Sequence, residues 1–182
     1  REKGATIIHD PRVVFNTVDI VNACGGNAVV SKTGHAFVKS EMRARNAIYG
    51  GEMSAHHYFR DFACCDSGMI PWLLLIELLS IRGKKLSELV GNRKKMFPST
   101  SEINLRVNNQ SQALDYVLDF YQNKAVSIDY SDGISLSFSN WRFNLRSSGT
   151  EPLLRLNVEA NTNPKALNEK KYEVLKNTQF FI

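Results

Sequence analysis

Apolar positions along the chain fall into two textures. In the first half, short apolar runs alternate with segments of helical spacing. Ala5–His9 reads as a strand, and Val18, Ile20, Val21 and Cys24 follow at helical intervals until Gly25-Gly26 stops the helix. Ala28–Ser31 is a second strand, Phe37–Arg45 a charged helix, and Ala47–Gly50 a third strand. Asp66-Ser67 are placed to cap a helix over Met69–Ile81, where Pro71 is tolerated in the first turn. Its apolar residues cover nearly every face, so it is expected to be buried. Strands separated by helices predict a parallel sheet in an α/β layer.

The texture changes over Lys84–Ser99, which carries Lys84, Lys85, Arg93, Lys94, Lys95 and Pro98. A linker is expected over 93–100, its charges forming a solvated helix face and hinge. Beyond it, Ile103, Leu105 and Val107 alternate as a strand, and Leu114, Val117, Leu118 and Tyr121 mark an amphipathic helix. Asp132-Gly133 signals a hairpin between Val126–Asp129 and Ile134–Phe138. Trp141, Phe143 and Leu145 alternate, Leu154–Val158 forms another strand, and Pro164 opens a polar helix running to about Lys176. The expected fold is an α/β domain over 1–95, with a mixed, mostly parallel sheet, followed by a smaller α+β domain over 96–182.

Composition narrows the classes. A chain of 182 residues, 43% apolar and 23% charged, is long enough for one large or two small domains and excludes disorder, a collagen-like repeat and a disulfide scaffold. The net charge of +5 is spread along the chain, which favours anionic ligands only mildly. With no stacking-aromatic motif or recognition-helix pattern, nucleic acid is not an expected partner. The longest apolar run, Met69–Ile76, is far short of the roughly 20 residues of a membrane span, so no membrane partner is expected either. Cysteines at 24, 64 and 65 fit neither a disulfide framework nor a CxxC ligand set; buried or free thiols in a reducing cytoplasm are expected. The start at Arg1, without a charged and apolar leader, reads as part of a longer polypeptide or a processed product.

Three segments carry candidate chemistry. Arg146-Ser-Ser-Gly-Thr-Glu-Pro152 lies between two strands. There, backbone N–H groups can gather round an anion, Arg146 can fork onto two phosphate oxygens, and Ser147, Ser148 and Thr150 add donors. An ordinary hairpin turn with an exposed arginine explains the same residues equally well. Gly50-Gly-Glu-Met-Ser-Ala-His-His57 follows a strand end, where ligands of open α/β sheets bind. Glu52 and Ser54 can hydrogen-bond sugar hydroxyls. In extended chain Glu52, Ser54 and His56 share a face while His57 points away. A surface loop with a histidine pair is the plainer alternative. No third ligand stands at metal-binding spacing, so no metal site is expected. Lys32-Thr-Gly-His35 is not a phosphate-binding Walker loop; it offers a cation near a phosphosugar or simply a turn into a helix. Asp10-Pro-Arg12 is weaker still. No serine sits beside an evident base, and no acidic run is suited to magnesium.

In this order the three segments resemble the second half of the α-D-phosphohexomutases, the phosphomannomutase/phosphoglucomutase family. The likeness is closest to the bacterial phosphomannomutases of GDP-sugar and polysaccharide synthesis. It rests on AIYGGEMSAHHYFRDFACCDSGMIPW (47–72), SKTGHAFVK (31–39) and DGISLSFSNWRFNLRSSGTEPLLRLNVEA (132–160), and covers the chain to about residue 160. The resemblance implies a four-domain cytoplasmic enzyme that interconverts mannose 6-phosphate and mannose 1-phosphate, of which this chain is domains three and four. The phosphoserine and the magnesium loop would lie in the first two domains, so this chain would hold hexose phosphate without turning it over. Glu52 and Ser54 would bind the sugar hydroxyls. His56 would contact the sugar or assist proton transfer, and Lys32, His35 and Arg12 would line the site. Arg146, Ser147, Ser148, Gly149 and Thr150 would hold the non-reacting phosphate. Many relatives have Asn where Gly149 stands, which removes one donor here. The alternative is a stand-alone, non-catalytic sugar-phosphate binding module.

Overall fold

The computed structural model describes residues 2–178. They form two units, one ending at Arg93 and one starting at Lys94.

The first unit has a five-stranded sheet in the order β2-β1-β3-β4-β5. The strands are β1 (Thr6–His9), β2 (Asn27–Val30), β3 (Tyr49–Gly51), β4 (His57–Phe59) and β5 (Cys65–Asp66). β1 runs parallel to both β2 and β3, as the alternation of strands and helices predicts. β4 and β5 add antiparallel strands at the β3 edge. Both lie in a stretch for which the sequence reading predicts no strand. Helices α1 (Phe15–Ala23) and α2 (His35–Ala44) make the crossovers. The core is small: Ile8, Val38, Met42, Ala47, Tyr58 and Cys64. Gly50 lets α2 pack directly on β3, since a Cβ there would stand 2.8 Å from Val38 and 2.9 Å from the Met42 sulfur.

Two expectations need correction here. Helix α3 (Met69–Arg82) forms where expected but is not buried. Trp72 and Ile81 are 54% and 73% exposed, because apolar composition makes a helix bury only where an element covers it. The stretch expected as linker begins inside a helix, α4 (Leu86–Met96). Arg93 pins it to α1 through Nε–H to Asn16 Oδ1 (2.5 Å) and Nη2–H to Asp19 Oδ2 (2.6 Å).

The second unit is an antiparallel sheet in the order β6-β10-β9-β8-β7. Its strands are β6 (Ile103–Arg106), β7 (Ser127–Asp129), β8 (Ile134–Ser137), β9 (Trp141–Ser147) and β10 (Leu153–Ala160). Helices α5 (Gln110–Tyr121) and α6 (Pro164–Thr178) share one core with it. Val117, Tyr121, Phe143, Leu145, Leu154, Leu156 and Val174 are fully buried there. Each large side chain so placed is worth roughly 1.5–3 kcal/mol over exposure. Alternation along β9 sends Arg142, Asn144 and Arg146 to the opposite, polar face, where Arg142 meets Glu159 at 2.8 Å. No helix among the described residues is long and apolar enough to cross a membrane.

Candidate functional site

The strand order reverses at β1, so the carboxyl ends of β1 and β3 bracket the crevice where ligands of open α/β sheets sit. Asp10 follows β1 and Glu52 follows β3. The chain from Glu52 to His56 is a tight turn rather than the extended segment expected. The Glu52 N–H reaches His56 O (3.0 Å), Ala55 N–H reaches Glu52 O (3.0 Å), and Ala55 is left-handed at φ 65°.

Glu52 is buried and accepts two hydrogen bonds, from the Tyr58 hydroxyl (2.5 Å) and from the backbone N–H of Gly34 (2.9 Å). It thus ties the turn after β3 to the turn before α2, where a carboxylate also complements the helix dipole. Burial first, and then this carboxylate, push the Tyr58 phenol far above its ordinary range. Burial alone pushes Tyr49 up to about 12.

Asp10, given little weight from sequence, is the other anchor. Its carboxylate accepts from Arg12 N–H (3.0 Å), Arg12 Nε–H (3.0 Å), Arg12 Nη2–H (2.6 Å) and Met53 N–H (2.6 Å). Arg12 is buried and also donates to Ser54 Oγ at 3.4 Å. One carboxylate therefore sets Arg12, Met53 and, through the guanidinium, Ser54. A cavity of about 170 Å³ opens beside Asp10 and Glu52.

His35, at the first turn of α2, is exposed and stands 4.5 Å, ring centre to ring centre, from His56. His56 Nδ1 lies 2.8 Å from Asp66 Oδ2, and Asp66 Oδ1 accepts the His57 N–H at 2.8 Å. Burial works against the charge of Asp66, but the bonds from His56 and His57 and the nearby imidazoles outweigh it. Its carboxyl is held below the usual range. Of the pair Asp66-Ser67 expected to cap α3, it is Ser67 that meets the helix start, its Oγ accepting Ile70 N–H at 3.3 Å. Donor atoms of His35, His56 and Asp66 all lie within 4.8 Å of one another. Sequence spacing does not show this proximity: pairing of β5 with β4 brings Asp66 beside the two histidines. His57 does point away, with Nδ1 2.6 Å from the Tyr49 hydroxyl. Lys32 is exposed, 4.9 Å over the Phe37 ring.

In the second unit, Arg146 and Arg155 are direct partners across β9 and β10. Like charges so placed repel, and Glu102 relieves this by meeting Arg146 Nη2 at 2.9 Å and Arg155 Nη1 at 3.4 Å. Arg146 Nη1 also lies 3.9 Å from Asp132. Its Nε–H is buried without a hydrogen-bond partner. Ser147, Gly149 and Thr150 are exposed, whereas Ser148 is buried. Thr150 N–H approaches Ser148 Oγ at 3.4 Å. Gly149 is not left-handed and has open space where a Cβ would stand, so glycine is not required there. Gln110, which sequence reasoning passed over, holds the turn: its Nε2 donates to the carbonyls of Glu151 (3.0 Å) and Leu153 (2.9 Å), with Ser148 O at 3.4 Å. Its only sequence signal is its place just after Asn109, which caps α5 through Gln112 N–H.

Comparison with known proteins places both units. The family profile for phosphoglucomutase/phosphomannomutase alpha/beta/alpha domain III matches residues 1–97, and that for the C-terminal domain matches 102–176. The chain is 54% identical over 175 residues to a phosphomannomutase of Escherichia coli, covering 96% of this chain and 38% of that protein. It is 51% identical to phosphohexose mutases of Xanthomonas campestris, covering 96% and 39%. The chain therefore spans well under half the length of these relatives. A crystal structure of a phosphoglucomutase/phosphomannomutase family protein from Burkholderia thailandensis superposes with a TM-score of 0.79 at 28% identity, over 97% of this chain and 38% of that one. With both of its units matched in order and most of its length accounted for, the chain belongs to the phosphoglucomutase/phosphomannomutase family.

Proposed function

We propose that this chain is the substrate-holding part of a cytoplasmic phosphomannomutase that interconverts mannose 6-phosphate and mannose 1-phosphate, with the phosphoserine on a portion outside it. The observation that carries the reading is the meeting of Glu52, the Arg12–Ser54 pair, His35 and His56 at the carboxyl ends of β1 and β3. Relatives named phosphomannomutase at 54% and 57% identity support the choice of sugar.

A phosphoserine donates its phosphoryl group to one hydroxyl of the hexose phosphate, giving a bisphosphate. The sugar then turns about and returns the other group. Both poses must fit one site, so recognition uses features they share. Glu52, already ordered by Gly34 and Tyr58, and Ser54, steered by Arg12, take central hydroxyls. His56, its Nδ1 engaged by Asp66, has Nε2 to exchange a proton with the reacting hydroxyl. Asp66 is thus the positioning residue of that pair. His35, Lys32 and Arg12 supply donors and positive charge along the rim. Arg146 and the turn through Ser147, Ser148, Gly149 and Thr150 hold the phosphate that is not transferred. Gln110 engages the turn's carbonyls and so fixes the shape of its backbone, in which the Ser148 N–H is given to Leu153 O. The catalytic gain from these residues is positioning and electrostatics.

Magnesium, implied by the family resemblance, does not suit the residues here. The single trio of metal-ligating groups found among the described residues is two imidazoles and one carboxylate, whereas magnesium takes an octahedron of oxygens. Magnesium is therefore assigned to the portion outside this chain, and no step here runs through it.

The division of labour is tested by mixing. The chain alone is expected to bind mannose 1-phosphate with no turnover, and turnover is expected on adding the amino-terminal portion of a relative such as the Escherichia coli protein. Turnover by the chain alone overturns the division. Binding with no turnover in any mixture favours the stand-alone binding module.

A further inference from the structure

The trio that does not suit magnesium has the chemistry of a different cation. We infer that His35, His56 and Asp66 form a site for a borderline transition metal ion of the zinc class. Such ions take imidazole nitrogen and carboxylate oxygen, commonly three protein ligands with a fourth position left to water. The three residues come from separate elements: the first turn of α2, the turn before β4, and β5. Their donor atoms already lie within 4.8 Å of one another. Tetrahedral ligands about 2 Å from zinc stand about 3.3 Å apart, so a small rotation completes the site. His56 Nδ1 and Asp66 Oδ2 are at 2.8 Å already. His35 is exposed and supplies the movement.

Support behind the ligands points the same way. Asp66 Oδ1 is fixed by the His57 N–H, which aims Oδ2 at His56, the outer contact that ligating carboxylates usually have. His56 and Asp66 side chains are 42% and 29% exposed, so an ion can enter without unfolding. The histidines are also the two assigned above to sugar binding. A bound ion therefore excludes hexose phosphate, a consequence that rests on that reading while the metal site itself does not.

The test uses the full chain, with cobalt absorption to report ligand geometry and zinc calorimetry to report stoichiometry. One ion per chain is expected, with the intense visible bands of tetrahedral cobalt, and an excess of magnesium is expected to leave both unchanged. His35→Ala and Asp66→Asn are each expected to weaken zinc about tenfold or more. His57→Ala, whose ring turns to Tyr49, is expected to bind zinc like the unaltered chain. Circular dichroism checks that each variant is folded. An absence of one-to-one binding, or equal affinity in His35→Ala, overturns the site. Saturating zinc is expected to abolish mannose 1-phosphate binding. If zinc binds and sugar phosphate affinity does not move, the site stands and its overlap with the sugar site is overturned.

Discussion

Asp10→Ala is expected to destabilise the first unit by about 3–5 kcal/mol, the cost of removing one partner from a buried ion pair. Asp10 and Arg12 side chains are only 3% and 7% exposed, so water does not replace the lost carboxylate. The Met53 N–H loses its acceptor as well, and the turn carrying Ser54 is released. Hydrogen exchange separates this from a general effect. Amides of Ile8 and Met42, in the first core, are expected to exchange about a hundredfold faster or more. Those of Val117 and Leu156, in the second core, are expected to be unchanged. Asp10→Asn keeps an acceptor oxygen and is expected to lose less. Unaltered exchange in the first core of Asp10→Ala would show that Asp10 is not an anchor.

Glu52→Ala is the second large effect. It strands two donors, the Gly34 N–H and the buried Tyr58 hydroxyl, each at about 1–3 kcal/mol. It also removes negative charge from the start of α2. A loss of about 2–5 kcal/mol in urea unfolding is expected, together with loss of mannose 1-phosphate binding. Glu52→Gln separates the two roles. Its oxygen can accept from Gly34 N–H while its amide donates to the Tyr58 oxygen, so stability is expected to fall by less. Affinity for the sugar is still expected to drop, because the charged acceptor is gone. If Glu52→Gln binds as tightly as the unaltered chain, Glu52 only braces the turns.

The helices were legible because 3.6-residue spacing is a local property. α2, α3 and α5 lie within a residue or two at most positions of where Phe37–Arg45, Met69–Ile81 and Leu114–Tyr121 placed them, apart from an earlier start for α5. Burial of α3 was not legible, since spacing shows which faces are apolar and not what covers them. Strands β4 and β5 hid behind the Glu52–His56 turn, whose left-handed Ala55 carries no sequence signature. The approach of Asp66 to His56 was not legible either: it depends on pairing of Tyr58 with Asp66, a contact no local pattern encodes. Asp10 and Gln110 were missed for a related reason. Each acts on backbone distant in sequence, Met53 for one and Glu151 for the other. By contrast Gly133, left-handed at φ 70°, stands where Asp132-Gly133 placed the hairpin.

The most direct test is calorimetric titration of mannose 1-phosphate into the unaltered chain, Ser54→Ala, Arg146→Ala and the double variant. Ser54 is exposed, and Glu102 keeps Arg155 when Arg146 is removed, so these variants are expected to fold. A single binding event is expected, weakened about tenfold to a hundredfold by Arg146→Ala, the worth of about 1.5–3 kcal/mol for a bond to a charged group. Ser54→Ala is expected to weaken the same event by up to about tenfold. Free mannose is expected to bind Arg146→Ala and the unaltered chain alike. Equal mannose 1-phosphate affinity in Arg146→Ala and the unaltered chain, or two independent binding events each removed by one variant, would contradict recognition of one sugar phosphate by both segments.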